Sequence, residues 1–251
     1  MQSSLFSVRG KRVIITGGSK GIGLALARGF CEAGAEVTIT ARDPHYLEQS
    51  RQALAKINPH VRAQPLDVTD IHAINTFFAN QPAFDILINN AGTEHVCPSL
   101  KMTESIWDQI INTNLKGSFF CARACAEHMS PHGHGVIINL CSLTSEVGVP
   151  GATPYGASKS GLLGMTRALS SEWAKLGIRV NAIGPGYFKT EMTDVFYQDE
   201  QWCESMLEKI PMQRFGELDD LIGTAIFLAS DASRYMSGQV LYVDGGYLAS
   251  I

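Results

Sequence analysis

Tyr155 and Lys159 stand four residues apart in Tyr155-Gly156-Ala157-Ser158-Lys159, a spacing that puts two side chains on one face of a helix. A phenol titrates near ~10 in water and is a poor base at neutral pH. A neighbouring ammonium stabilises the phenolate, and each unit of lowering needs about 1.4 kcal/mol of such help. Upstream, Ser142 follows residues 136–140, an apolar run that reads as a buried strand. A serine at a strand's carboxyl end can donate a hydrogen bond to a carbonyl without acting as a nucleophile. Taken singly, Tyr155 suits a packing role. With Lys159 and Ser142 it suits proton transfer at a carbonyl oxygen.

A second constellation lies at the other end of the chain. Val13-Ile14-Ile15-Thr16-Gly17-Gly18-Ser19-Lys20-Gly21-Ile22-Gly23 leads an apolar run through a glycine-rich turn into Leu24-Ala25-Leu26-Ala27-Arg28, the start of a helix. That order suits a dinucleotide pyrophosphate, because glycines admit close backbone approach and a helix N-terminus offers unpaired N–H donors. Gly17, Gly21 and Gly23 form G-x-x-x-G-x-G, not G-x-G-x-x-G, and a turn of this kind also occurs for structural reasons alone. An acid at the end of the second strand would take the adenosine ribose hydroxyl of NAD. Here Arg42 follows Ala41, and a guanidinium suits the 2′-phosphate of NADP. Lys20 would add a second cation, so NADP is expected and NAD fits less well. Asp43 is the competing reading, since a register shift would put an acid in that pocket.

The elements that must position these groups alternate along the chain. Strands are predicted at 13–15, 37–40, 61–66, 84–88, 136–140, 179–183 and 239–243. Helices are predicted at 22–33, 44–56, 71–78, 105–129, 155–176 and 218–229, with a helical region at 190–210. Gly34 is a plausible stop for the first helix. Strand–helix alternation predicts an α/β fold, a doubly wound parallel sheet of about seven strands with helices on both faces. The 251 residues fit one domain, 1–251, because no repeat, linker or composition break divides them. A net charge of −4 with no basic block argues against a nucleic-acid partner. No run approaches the ~18 apolar residues of a membrane span. The N-terminus lacks the layout of a signal peptide, so a cytoplasmic protein is expected. Cys121 and Cys125 read as buried small hydrophobes, and His132 and His134 as a surface turn, so no metal site is expected.

The chain resembles the short-chain dehydrogenase/reductase family across its whole length. The resemblance rests on residues 16–23, Asn89-Asn90-Ala91-Gly92, Asn114, Ser142, Tyr155-x-x-x-Lys159, Asn181-Ala182-Ile183-Gly184-Pro185-Gly186 and Asp244-Gly245-Gly246. It implies a Rossmann-type sheet and an Asn114–Ser142–Tyr155–Lys159 tetrad. In that tetrad Tyr155 is the general acid/base, Ser142 holds the carbonyl oxygen and Lys159 lowers the Tyr155 pKa and binds the nicotinamide ribose. Asn114 would hold a water that relays protons through Lys159. The cofactor would lie along Gly17, Ser19, Lys20, Gly21, Ile22, Gly23 and Arg42. It would meet Asp67 and Val68 at the adenine, Asn90, Ala91 and Gly92 at a ribose, and Pro185, Gly186, Phe188 and Thr190 at the carboxamide. Transfer of the pro-S hydride is implied.

Within the family, residues 138–146 and 185–193 resemble the gluconate 5-dehydrogenase branch. Members of that branch often carry basic residues after Asn-Asn-Ala-Gly, where they could pair with a sugar-acid carboxylate; this chain has Thr93-Glu94-His95-Val96. Glu94 would repel a carboxylate and neutral His95 would attract it weakly. A polyol, ketose or other small ketone therefore competes with a sugar acid. Glu146 could face a substrate hydroxyl or hold a structural partner. Tyr187 opens a segment, 187–210, expected to cover the substrate with Phe196, Tyr197, Trp202, Cys203 and Met206. The runner-up is a 3-oxoacyl-(acyl-carrier-protein)-type reductase, with Lys101, Lys116 and Arg123 as candidate carrier contacts; a dinucleotide-binding regulator without turnover is the remote alternative. Apolar helix faces at 106–126 and 161–173 predict a homotetramer.

Overall fold

The apolar runs become strands β1 (Arg12–Thr16), β2 (Glu36–Ala41), β3 (Arg62–Pro65), β4 (Ile86–Asn89), β5 (Gly135–Leu140), β6 (Ile178–Pro185) and β7 (Val240–Val243) in a computed structural model. It describes residues 5–191 and 193–251, and the side chains of Val195 and Phe196 lie outside that description. All pairs are parallel, in the order β3-β2-β1-β4-β5-β6-β7. The order reverses between β1 and β4, so the connections leaving these two strands diverge and open a crevice at their carboxyl ends.

Alternation along a strand divides the core. Val13 and Ile15 point to one face, against Leu26 and Phe30 of α1 (Gly21–Glu32) and Leu228 of α9 (Ile222–Ala229). Ile14 points to the other, against Ile74 and Phe78 of α3 (Ile71–Ala79), Cys121 and Cys125 of α5 (Ser118–Met129) and Leu169 of α6 (Thr153–Trp173). Both cysteines are fully buried. Burial on both faces is what a continuously apolar parallel strand requires. Helix α2 (Pro44–Ala55) starts on Asp43, whose carboxylate accepts from His45 N and Tyr46 N at 2.8 and 3.3 Å. Helix α1 ends where Gly34 takes φ +81°, a conformation that suits glycine.

Three stretches depart from the sequence expectation. Residues 105–129 are not one helix: α4 (Glu104–Ile111) passes through a π-helical turn, Asn112–Gly117, into α5. Gly117 packs so closely there that a Cβ would stand 2.6 Å from the Val68 carbonyl oxygen. The helix expected from 218 opens as a 3₁₀ turn, Leu218–Leu221, with a capping box between Glu217 and Asp220. Between β6 and that turn, the expected helical region is two pieces, α7 (Asp194–Tyr197) and α8 (Glu200–Lys209), the second capped by Asp199. Among the described residues no helix is long and apolar enough to cross a membrane, and no three His, Cys, Asp or Glu side chains gather as metal ligands.

Candidate active site

A cleft of about 400 Å³ runs along the carboxyl ends of the central strands. Ser142 enters it from the turn after β5, and Tyr155 and Lys159 from the first two turns of α6. Lys159 is 5% exposed, and its ammonium donates to the Leu140 carbonyl at 2.6 Å. The same Nζ lies 5.5 Å from the centre of the Tyr155 ring. Burial lowers the Lys159 pKa to about 8, against the opposing charges of Cys141 and Glu94. Tyr155 is pushed upward, first by burial and then by the Glu94 charge, while Ser142 favours the phenolate. The structure therefore keeps Tyr155 a protonated phenol at neutral pH, with a net shift opposite to the lowering expected from Lys159 alone. Desolvation is the leading cause, and the ammonium's hydrogen bond goes to a backbone carbonyl and not to the phenol.

Asn114 sits in the π-helical turn, fully buried behind this cluster. Its Oδ1 accepts from Thr93 N at 2.8 Å, and its Nδ2 donates to Thr93 O at 2.9 Å and to Ser158 Oγ at 3.1 Å. The side chain thus ties the segment after β4 to α6. A π-turn shifts the side chains that follow it relative to an α-helix, a feature common at functional sites. Glu94, next to the clamped Thr93, lines the cleft; burial raises its pKa and the Lys159 charge opposes that rise.

The other arm of the cleft is built on α1. Four helices begin with a side chain capping their free N–H groups: Asp43, Asp70, Thr103 and Asp199. Helix α1 has no capping side chain and no acid in its first turn. The N–H groups of Gly21, Ile22 and Gly23 meet no protein acceptor among the described residues. Thr16 Oγ1 accepts from Asn90 N and Ala91 N, both at 3.1 Å, and Asn90 Nδ2 donates to the Thr16 and Gly17 carbonyls, locking the ends of β1 and β4 together. Gly92 leaves open the space where a Cβ would come within 3.8 Å of Lys159 Nζ. Arg42 is exposed at the cleft wall and pairs with no group among the described residues. Free donors at a helix N-terminus, an open glycine and an unpaired guanidinium fit a phosphorylated dinucleotide.

Comparison with known proteins agrees. The family model adh_short_C2, described as enoyl-(acyl carrier protein) reductase, matches residues 17–248. Gluconate 5-dehydrogenase of Gluconobacter oxydans (strain 621H) is 38% identical over 251 residues, covering 98% of each chain. The chain belongs to the short-chain dehydrogenase/reductase family. It is an NAD(P)-dependent oxidoreductase. A proposed short-chain alcohol dehydrogenase from Sinorhizobium meliloti 1021 superposes with a TM-score of 0.95 at 51% identity, covering 98% of this chain and 100% of that one. A gluconate 5-dehydrogenase from Burkholderia cenocepacia J2315, solved with NADP and tartrate, gives 0.95 at 37% identity over the full length of both.

Most residues singled out from the sequence meet in the one cleft. Gly17, Ser19, Lys20, Gly21, Ile22 and Arg42 line it from the glycine turn and β2, and Asp67 and Val68 from the end of β3. Asn90, Ala91, Gly92 and Glu94 follow β4, while Pro185, Gly186, Phe188 and Thr190 follow β6. Gly23 lies behind the wall, where a Cβ would stand 2.3 Å from Gly17 O, so it serves the packing of turn on helix. Asn114 stands behind the cleft as well, and three further residues lie off it. His95 is exposed; Glu146 accepts from the Tyr242 hydroxyl at 2.8 Å; Tyr187 packs edge-on against Trp202 and Tyr247 beside a separate hollow. Lys20, expected free for phosphate, is paired with Glu191 at 2.8 Å. Tyr46 and Thr113 line the cleft without having been singled out. Tyr46 stands just inside the helix after Arg42, and that position was its one available signal. The side chain of Phe196, counted among the covering aromatics, lies outside the description.

Proposed function

We propose that this protein interconverts a small hydroxylated ketone and its secondary alcohol with NADP(H), using Asn114, Ser142, Tyr155 and Lys159. The observation that carries the reading is one cleft with a phenol, a serine hydroxyl and a buried lysine at one end and an unpaired guanidinium at the other. When bound, the nicotinamide supplies or accepts the hydride. In reduction the Tyr155 hydroxyl donates its proton to the substrate oxygen, which the Ser142 hydroxyl holds by a second hydrogen bond. Lys159 keeps a positive charge beside the phenolate that Tyr155 becomes. Asn114 holds Thr93 and, in the role the family implies, a water on the proton path to Lys159. Arg42 takes the 2′-phosphate. Asp43, whose Oδ1 caps α2, also lines the cleft, so it and Arg42 are the two groups there that a 2′-phosphate or a 2′-hydroxyl would tell apart.

The residues after β6, 187–210, cover the substrate in this reading. Tyr197 and Trp202 of this segment pack with Phe215, Trp202 stacked on it at 6.1 Å and Tyr197 edge-on to both, an apolar cluster behind the cleft residues Phe188 and Thr190. The reading includes a cytoplasmic enzyme and a homotetramer. Trp107 of α4 is 40% exposed, and a Cβ on Gly164 of α6 would meet nothing within 4 Å. Such faces suit close contact about two-fold axes. Sedimentation at micromolar concentration is expected to give a tetramer, and a monomer would refute that part.

The activity is tested by NADPH oxidation with 5-keto-gluconate and with its uncharged amide, beside an acetoacetyl thioester at equal concentration. The named relatives make 5-keto-gluconate the reference keto acid. Reduction of the hydroxylated ketone, in at least one of its two forms, well ahead of the thioester is expected. Preference for the thioester would move the chain to fatty-acid-type reduction. Tight NADPH binding without turnover of any ketone would make it a dinucleotide-binding regulator.

A further inference from the structure

We propose that Glu94 selects the substrate: its carboxylate accepts a hydrogen bond from a substrate hydroxyl and disfavours keto acids, whose own carboxylate would have to share the cleft with it. This rests on the oxidoreductase reading above and narrows its substrate to uncharged hydroxy ketones.

The segment that carries Glu94 is held at three points. Asn114 clamps both backbone groups of Thr93. Cys97 N donates to Gly151 O at 2.9 Å. Ser99 Oγ and Thr153 Oγ1, at the start of α6, share a hydrogen bond of 2.7 Å. Glu94 is therefore presented to the cleft from a fixed backbone, and a fixed acceptor discriminates better than a mobile one because less ordering is needed on binding.

The carboxylate has no hydrogen-bond partner among the described residues, although it is half-buried and lines the cleft. An acceptor in that setting gains most from a donor brought by the ligand. Lys159 makes neither a hydrogen bond nor an ion pair with this carboxylate; its ammonium donates to Leu140 O. Nor does another cation balance a second carboxylate there. His95 is exposed away from the cleft. Arg42 follows β2 and Ser142 follows β5; in the strand order these are three spacings apart, on the order of 14 Å. Lys20 is paired with Glu191 in the same distant arm. A keto acid placed at Tyr155 would bring its negative charge into the end of the cleft that already holds Glu94, whose charge acts on both Tyr155 and Lys159.

The test compares 5-keto-gluconate with its uncharged amide, which keeps the hydroxyls and removes the charge. Each is titrated into the protein–NADP+ complex, which cannot reduce a ketone, with binding followed by calorimetry, and turnover with NADPH is measured in parallel. Wild type is expected to bind the amide at least about tenfold more tightly than the acid, Glu94→Asp to keep that preference, and Glu94→Gln to reduce it below about threefold. Retained NADPH binding in each variant reports the fold. An unchanged ratio in Glu94→Gln, a wild-type preference for the acid, or failure of both probes to bind wild type would overturn the proposal. Turnover reports the other reading separately. If the ratio moves with Glu94 while no NADPH is consumed, selection by Glu94 stands and the oxidoreductase reading falls.

Discussion

Tyr155→Phe is expected to cut NADPH-dependent ketone reduction by about 10² to 10⁴-fold, the range for removing a positioned general acid, while leaving NADPH affinity within about twofold. The substitution deletes one hydroxyl and keeps the ring that walls the cleft beside Lys159. Its cost should therefore appear in kcat with little change in KM, the pattern of an interaction made in the transition state. Unchanged turnover would remove Tyr155 from the mechanism. The pH profile carries the same argument further. Burial holds the Tyr155 phenol above its ordinary value, so it stays protonated well past neutrality. Lys159, lowered to about 8, is the group that loses its proton first as pH rises. Wild-type reduction should then fall on an alkaline limb beginning near pH 8, and Lys159→Arg, whose charge persists, should move that limb to higher pH. A limb that stays in place in Lys159→Arg would assign it to another group.

What the sequence made legible was what local chemistry encodes. The strands were readable because two-face burial demands unbroken apolar runs such as Val13 to Ile15. The glycine turn was readable because a phosphate cradle needs residues without side chains, and Tyr155 and Lys159 because four residues make about one helical turn. The π-helical turn at Asn112–Gly117 was hidden, since apolar periodicity does not register one extra residue per turn. Its consequence, Asn114 holding both backbone groups of Thr93, was hidden with it. Long-range polar pairs were equally silent. Lys20 and Glu191 are 171 residues apart in sequence, and Glu146 and Tyr242 are 96 apart. Each pairing diverts a side chain that sequence position alone assigns to a ligand. The upward shift of Tyr155 depends on desolvation, a property of the packed cleft that no spacing conveys. Glu94 lay between these cases: its charge was plain in the chain, but its place in the cleft depends on the clamp that holds Thr93.

Arg42→Ala is expected to weaken NADPH binding by about thirtyfold, the equivalent of about 2 kcal/mol for a hydrogen-bonded charged contact, and to leave NADH binding within about twofold. The guanidinium stands at the carboxyl end of β2 with no protein partner among the described residues, so removing it leaves no buried group unpaired and the fold intact. A planar guanidinium can meet a phosphate with two parallel hydrogen bonds, whereas an uncharged ribose hydroxyl offers it far less. The effect should therefore fall on one cofactor and spare the other. Lys20→Ala should do less, since the ammonium must first leave Glu191; that pair is exposed, with side chains 61% and 71% accessible, and an exposed pair contributes only about 0–1 kcal/mol. The ordering Arg42 before Lys20 separates two cations that look equivalent in the sequence. Dissociation constants for both cofactors, measured by fluorescence at one ionic strength, decide it. Equal losses for NADPH and NADH in Arg42→Ala would mean that the guanidinium meets a part common to both, such as the adenine face. A preference for NADH in wild type would instead put Asp43 on the ribose through the carboxylate oxygen that does not cap α2.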